Sequence, residues 1–309
     1  MITGVTVRAF PNTSVFTEKI SLRGSYQDVA FWQHGVAAQL EALQRLNREG
    51  IVGQFEVQRL LAEEDSVQVS LEVYHLNTTH PSSNRMSLLR DALEHNGLRI
   101  SFSSRSLSML TSALRHGGDI YPEDYGIVMG SVVMSNAFLD SSAAPQQMAG
   151  HLSRFPLAPG DLLFTSNLGG RVNAAQGLVD TAMHPAWRSS SHLMSLVRQV
   201  RPLSVEGKVA TLNYLTQVQM PMLYALDPSL SVSYFNLPDP NQKDAAQVYW
   251  GENYSRLLRI KQQWDPDELF IVRSGVGSEG WDNEGLCKQQ KSILARRWSV
   301  LRSSLWHAE

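Results

Sequence analysis

The chain has 309 residues, 43% of them hydrophobic and 18% charged, with a formal net charge of −2. That balance supports a buried core and excludes nucleic acid or an anionic membrane as the main partner, since either would need a basic surplus. The single cysteine, Cys287, excludes an internal disulfide and any multi-cysteine metal site.

In chain order, "TGVTVRAF" and "SVFTEKISL" alternate in polarity around "PNT" and predict a hairpin. A helix is expected from Ser25 to Gly50, with a cap at each end. Residues 53–61 and 66–76 alternate again and predict a second hairpin, apolar on one face, whose turn falls near "AEEDS". "SSNRMSLLRDALEHNG" reads as a helix, "LRISFSS" as a strand and "SLSMLTSALRHGG" as a further helix.

The longest apolar run, "GIVMGSVVMSNAFL", is interrupted by Ser131 and Ser135 and is too short for a membrane span. "MITGVTVRAFP" has no signal-peptide pattern, so a cytoplasmic location is expected. "DLLFTSNLGGRV" and "HLMSLVRQV" predict strands, and "VEGKVATLNYLTQVQMPMLYAL" a long helix that Pro221 bends or ends early. "SVSYFNLPDP" reads as a late strand and 242–263 as a helix stopped by "DP". Strand pairs alternating with helices predict an α+β fold, an antiparallel β-sheet with helices packed on one face.

Spaced blocks carry a resemblance. "YFNLPDP", "YWGENYSRLLRIKQQWDPDELF", "GVGSEGW" and "GLC", with "SNLGGRV", "DTAMHPAWR" and "VTVRAFP" upstream, resemble the substrate domain and closing segment of fungal berberine-bridge-enzyme-like FAD-linked oxidases. The resemblance implies a substrate-binding region over 1–238 and a berberine-bridge-type segment over 239–287, and leaves 288–309 as a basic amphipathic tail. In that family the FAD-binding domain precedes these blocks. The glycine pairs in "HGGD" and "LGGRV" lack the spacing of a phosphate loop, so no cofactor is expected in this chain. Family members commonly carry Tyr or Glu after the Asn of "YFN", near the flavin; here it is Leu237, which exchanges no proton.

Candidate catalytic residues are Glu56 and Glu72, on the polar faces of two adjoining strands, and Asp180 with His184, in and just before "HPAWR". If Gln58 pairs with Ser70, the two glutamates come close enough to split into an acid and a base. They read equally as a solvated sheet face, and Asp180 and His184 as a turn cap and a surface ring. Candidate substrate-binding residues are Tyr74, Arg188, Tyr234 and Asn236, with Trp187 read as core. The nine histidines show no metal-binding spacing, so no metal is expected.

Three functions fit this reading: a flavin-free enzyme for a redox-neutral cyclisation, cycloaddition or isomerisation of a small secondary metabolite; the substrate half of a split oxidase needing a separate FAD-binding chain; or a non-catalytic binding module. A homodimer is expected to cover the surface that faces the flavin domain in relatives.

Overall fold

The computed structural model describes residues 4, 6, 11–60, 65–111, 126–168, 180–282 and 285–289. The chain divides into two compact units, one of residues 1–179 and 186–241 and one of residues 180–185 and 242–309.

The first unit is built on a seven-stranded sheet of order β4-β1-β3-β2-β6-β7-β5. Its strands are β1 (Val15–Ser25), β2 (Val52–Arg59), β3 (Ser66–Leu76), β4 (Ile100–Leu107), β5 (Gly126–Ser135), β6 (Leu162–Asn167) and β7 (Ser190–Val200). Every pairing is antiparallel, as the alternating pattern requires when one face is buried. That face carries Ile20, Leu22, Phe55, Val57, Val69, Leu71, Leu163 and Leu196, all at most 1% exposed.

Helices α1 (Ala37–Arg48), α2 (Arg85–His95), α3 (Asn136–Leu139), α4 (Ala144–Leu152), α5 (Val205–Tyr214) and α6 (Met220–Tyr224) belong to the same unit. Leu40, Leu43, Met86, Leu89, Met148, Leu152, Leu215 and Leu223 from these helices and their extensions join the sheet's apolar residues in one core. The α+β expectation holds.

Several local readings need correction. Ser25 ends β1 rather than capping a helix; Asp28 accepts from the Phe31 amide and opens a π-helical turn, Phe31–Val36, that runs into α1. The β2/β3 register is two residues off the expected one: Gln58 faces Gln68 and Glu56 faces Ser70. Pro221 does not end its helix, because a π-helical turn, Leu215–Gln219, leads into α6 and Pro221 falls in that segment's first turn, where its missing N–H costs little.

"SVSYFNLPDP" is a strap, not a strand. Val232 takes one ladder-like bond from the Val133 amide, after which the chain turns at Tyr234–Leu237. The 242–263 helix is broken: a π-helical turn, Ala246–Trp250, and a 3₁₀ turn, Gly251–Asn253, precede α7 (Tyr254–Trp264). β5 and α4 have no counterpart among the sequence expectations. The first hairpin strand, the "AEEDS" turn, most of the 106–118 helix, "GGRV" and the tail from residue 290 lie outside the described residues.

Candidate functional site

The sheet's other face carries the candidate chemistry. Cross-strand register sets Thr17, Lys19 and Ser21 of β1 against Tyr74, Glu72 and Ser70 of β3. Glu72 in turn faces Gln54, and Glu56 faces Ser70 on one side and Phe164 of β6 on the other. Glu56 and Glu72 are therefore diagonal neighbours, a spacing that still lets side chains interact.

Their surroundings differ. Lys19 Nζ lies 3.6 Å from Glu72 Oε2, and the Tyr74 hydroxyl is hydrogen-bonded toward the same carboxylate. Glu56 has the Ser70 hydroxyl, donating at 3.4 Å. Burial raises the Glu56 pKa above the usual carboxylate range, Lys19 opposes the rise and Glu72 adds to it. Burial, followed by the two glutamates, pushes Tyr74 up to about 12.

One row of residues crosses the sheet from Ser70 through Glu56, Phe164 and Ser195 to Ser131. At its far end, about 14 Å from Glu56 at the usual strand spacing, Ser131 Oγ accepts from the Tyr234 amide and donates to the Leu237 carbonyl. This pins the strap over the sheet. The Tyr234 and Trp187 rings meet edge to face at 5.2 Å, and Asn236 Nδ2 donates to the Tyr234 hydroxyl at 2.6 Å. Trp187, Tyr234 and Leu237 pack on Val133, Leu193 and Val232, a small apolar cluster separate from the main core. Arg188 sits beside Trp187 in a half-buried 3₁₀ turn. The face thus grades from charged at β1–β3–β2 to aromatic at β5.

Asp180 and His184 belong to the second unit. Asp180 is exposed and ion-paired with Arg256, an arrangement that contributes about 0–1 kcal/mol. His184 is buried, and burial lowers its pKa despite the Gln247 backbone and Glu252. In the same unit Asn253 Nδ2 donates to the Thr181 and Met183 carbonyls, and the Tyr254 hydroxyl donates to Glu279 and accepts from the Gly277 amide. Lys19, Ser70, Ser131 and Phe164 were missed in the sequence, because only the strand register brings them to the candidates.

His184 also shapes the break before α7. Gly251 has φ +54°, and a Cβ there would sit 2.5 Å from His184 Nε2. Gly251→Ala is expected to destabilise this unit by about 1–3 kcal/mol, read as faster hydrogen exchange in α7; unchanged protection would show that the turn tolerates a side chain.

Residues 233–277 match the family model described as Berberine and berberine like. The FAD-linked oxidoreductase easE of Arthroderma otae is 41% identical over 306 residues, 98% of this chain and 50% of that protein. Its Claviceps purpurea counterpart is 40% identical, over 97% of this chain and 62% of that protein.

The chain is thus similar over nearly all of its length to fungal FAD-linked oxidoreductases, with a berberine-like segment over residues 233–277. It spans about half the length of the first of these relatives.

Solved structures agree on the fold. A VAO-type flavoprotein from Myceliophthora thermophila superimposes with TM-score 0.71 at 19% identity, over 89% of this chain and 50% of that one. The berberine bridge enzyme of Eschscholzia californica gives 0.55 at 13% identity, over 85% of this chain and 55% of that one. Among the described residues of this berberine-bridge-like chain no glycine-rich loop opens a helix, and the polar face offers carboxylates, which repel a pyrophosphate. These residues do not fit a flavin's phosphates. No described group of three or more His, Cys, Asp or Glu is placed to hold a metal, and no described helix is long and apolar enough to cross a membrane.

Proposed function

We propose that this chain supplies the substrate-binding sheet of an FAD-linked oxidoreductase and that the flavin is held by residues outside it. The observation that carries the reading is the sheet face graded from Glu72, Glu56 and Tyr74 to Tyr234 and Trp187, in a chain whose homologues are FAD-linked oxidoreductases. Such a face binds a small metabolite by its aromatic end and holds it with fixed hydrogen-bonding groups, which lowers the barrier by orientation.

The second unit supports the need for a further protein surface. Trp264, Leu269 and Phe270 are each more than 75% exposed, and Val272 and Ile260 are exposed as well. Several large apolar side chains exposed in one short stretch of chain suggest a contact site, and the FAD-binding half of a relative is the occupant that fits this reading.

A second reading, redox-neutral cyclisation or isomerisation without flavin, is favoured by Leu237. It packs in the aromatic cluster where relatives commonly place a proton-exchanging side chain. The same sheet face would serve that chemistry.

One reconstitution separates the readings. The purified chain alone is expected to bind no FAD, whereas mixing it with the FAD-binding half of an easE relative is expected to give a yellow complex of one chain each. Trp264→Asp with Phe270→Asp should abolish the complex. Stoichiometric FAD binding by the chain alone, or no complex with the added half, would overturn the first reading. Metabolite turnover by the colourless chain would establish the second. The mass of the chain alone by light scattering tests the homodimer in the same samples.

A further inference from the structure

We propose that Glu56 is the proton-carrying carboxyl of the substrate face and that Lys19, paired with Glu72, is the positioning residue that assigns it that part. The proposal rests on the substrate-face reading above, and it turns on how differently two diagonal carboxylates are partnered.

Glu72 lies in a cross-strand rung between Lys19 and Gln54. It has a cation at 3.6 Å and the Tyr74 hydroxyl beside it, so its charge is already answered within the sheet. Glu56 is one rung along. Its neighbours in the row are Ser70, a weak donor at 3.4 Å, and the ring of Phe164. A carboxyl between a hydroxyl and an aromatic ring loses hydration, the nearby Lys19 is paired with Glu72 and only partly offsets that loss, and the neutral form of Glu56 is favoured.

The same row leads directly through Phe164 and Ser195 toward the residues that hold the Tyr234 strap. A ligand stacked near Trp187 and extending over Phe164 would meet Glu56 before Glu72.

The charged and titratable groups near Glu56 on this face are Glu72 and Tyr74 of the adjoining strand β3 and, one strand further, Lys19 and Arg23 of β1; β6 presents Phe164 and Leu162. Lys19 and Glu72 act on it with opposite sign. The chemistry is proton transfer. An ionised Glu56 oxygen accepts a proton from an O–H, N–H or activated C–H of the bound ligand, the electron pair stays on the ligand, and the proton is later released to another ligand atom or to solvent.

The test is carboxyl-carbon NMR of the chain labelled with [δ-¹³C]glutamate, titrated without substrate or flavin. One resonance is expected to titrate above the ordinary glutamate range and to vanish in Glu56→Gln. Lys19→Met should move its midpoint up and Glu72→Gln should move it down, each by about half a pH unit, the size of one charge acting through solvent at a few ångströms. Lys19→Arg should restore the wild-type value.

If Glu56→Gln does not fold, the opposite displacements in the other two variants still identify the resonance. A Glu56 resonance in the ordinary range, or one unmoved by both neighbours' substitutions, overturns the proposal. Because no flavin partner is present, that failure is distinct from failure of the reconstitution.

Discussion

Turnover by the assembled enzyme is expected to fall about 10²- to 10⁴-fold in Glu56→Gln, the usual loss when a general acid or base is removed. The substitution keeps the shape of the side chain and its contact with Ser70, so a loss of this size with intact ligand binding isolates the proton. Glu72→Gln leaves Glu56 able to exchange a proton and removes the neighbour that raises its pKa. The affected limb of the pH–rate profile should therefore move to lower pH rather than disappear. Wild-type turnover in Glu56→Gln would move the proton transfer elsewhere, with Asp180 and His184 as the next groups to test.

The second large effect is on stability in acid. His192 of β7 is buried on the helix side of the sheet, and burial depresses its pKa from 6.5 to about 4. Its Nε2 accepts from the Asn47 amide at 2.9 Å, Asn167 donates to the Asn47 oxygen at 2.6 Å, and the Gly53 amide donates to Asn167. The chain of bonds ties α1, β6, β2 and β7 together and requires a neutral ring.

The sign follows from linkage. Below pH 6.5 the unfolded chain takes up a proton that the folded chain refuses, so stability falls as pH drops and the loss is complete near pH 4. At about 1.4 kcal/mol per unit, this ring removes about 3 kcal/mol over that interval. Urea titrations should show His192→Gln less stable at neutral pH and distinctly flatter in acid. Parallel curves for the two proteins would place the acid sensitivity in other groups.

The half of the sheet with one wet face was legible in the sequence. β1, β2 and β3 alternate cleanly because one face packs on helices and the other meets polar neighbours, and that alternation also put Glu56, Glu72 and Tyr74 on a common side. β5 was not legible: Val132, Val133 and Met134 are all buried, on opposite faces, since the strap and Trp187 cover the side that is open elsewhere. A strand covered on both faces has no period to read.

The β2/β3 register was legible only to within two residues, which left the glutamates either opposite or diagonal, and Lys19 was missed because it comes from a third strand, β1. Arg256, the partner of Asp180, lies 76 residues away in sequence, and no local pattern announces it. Tyr234 looked like a strand residue because "SVSYF" alternates. Ser131, from another strand, holds it in a turn instead.

The sheet order has a bearing on how this chain reaches its native state. Strands β1 to β4 pair among themselves, as do β5 to β7, and the two groups meet along one seam between β2 and β6 that is only three residue pairs long. The seam is reinforced by a bond from the Phe55 amide to Thr165 Oγ1, 110 residues apart in sequence. Contacts so distant along the chain close late, after the local pairings have paid for themselves. Glu56 and Phe164 face each other in that seam. The two halves of the proposed ligand face are thus brought into one surface by the same late event that completes the sheet, and a molecule arrested before it would hold Glu56, Glu72 and Tyr74 on well-formed strands and still lack the other half of that face.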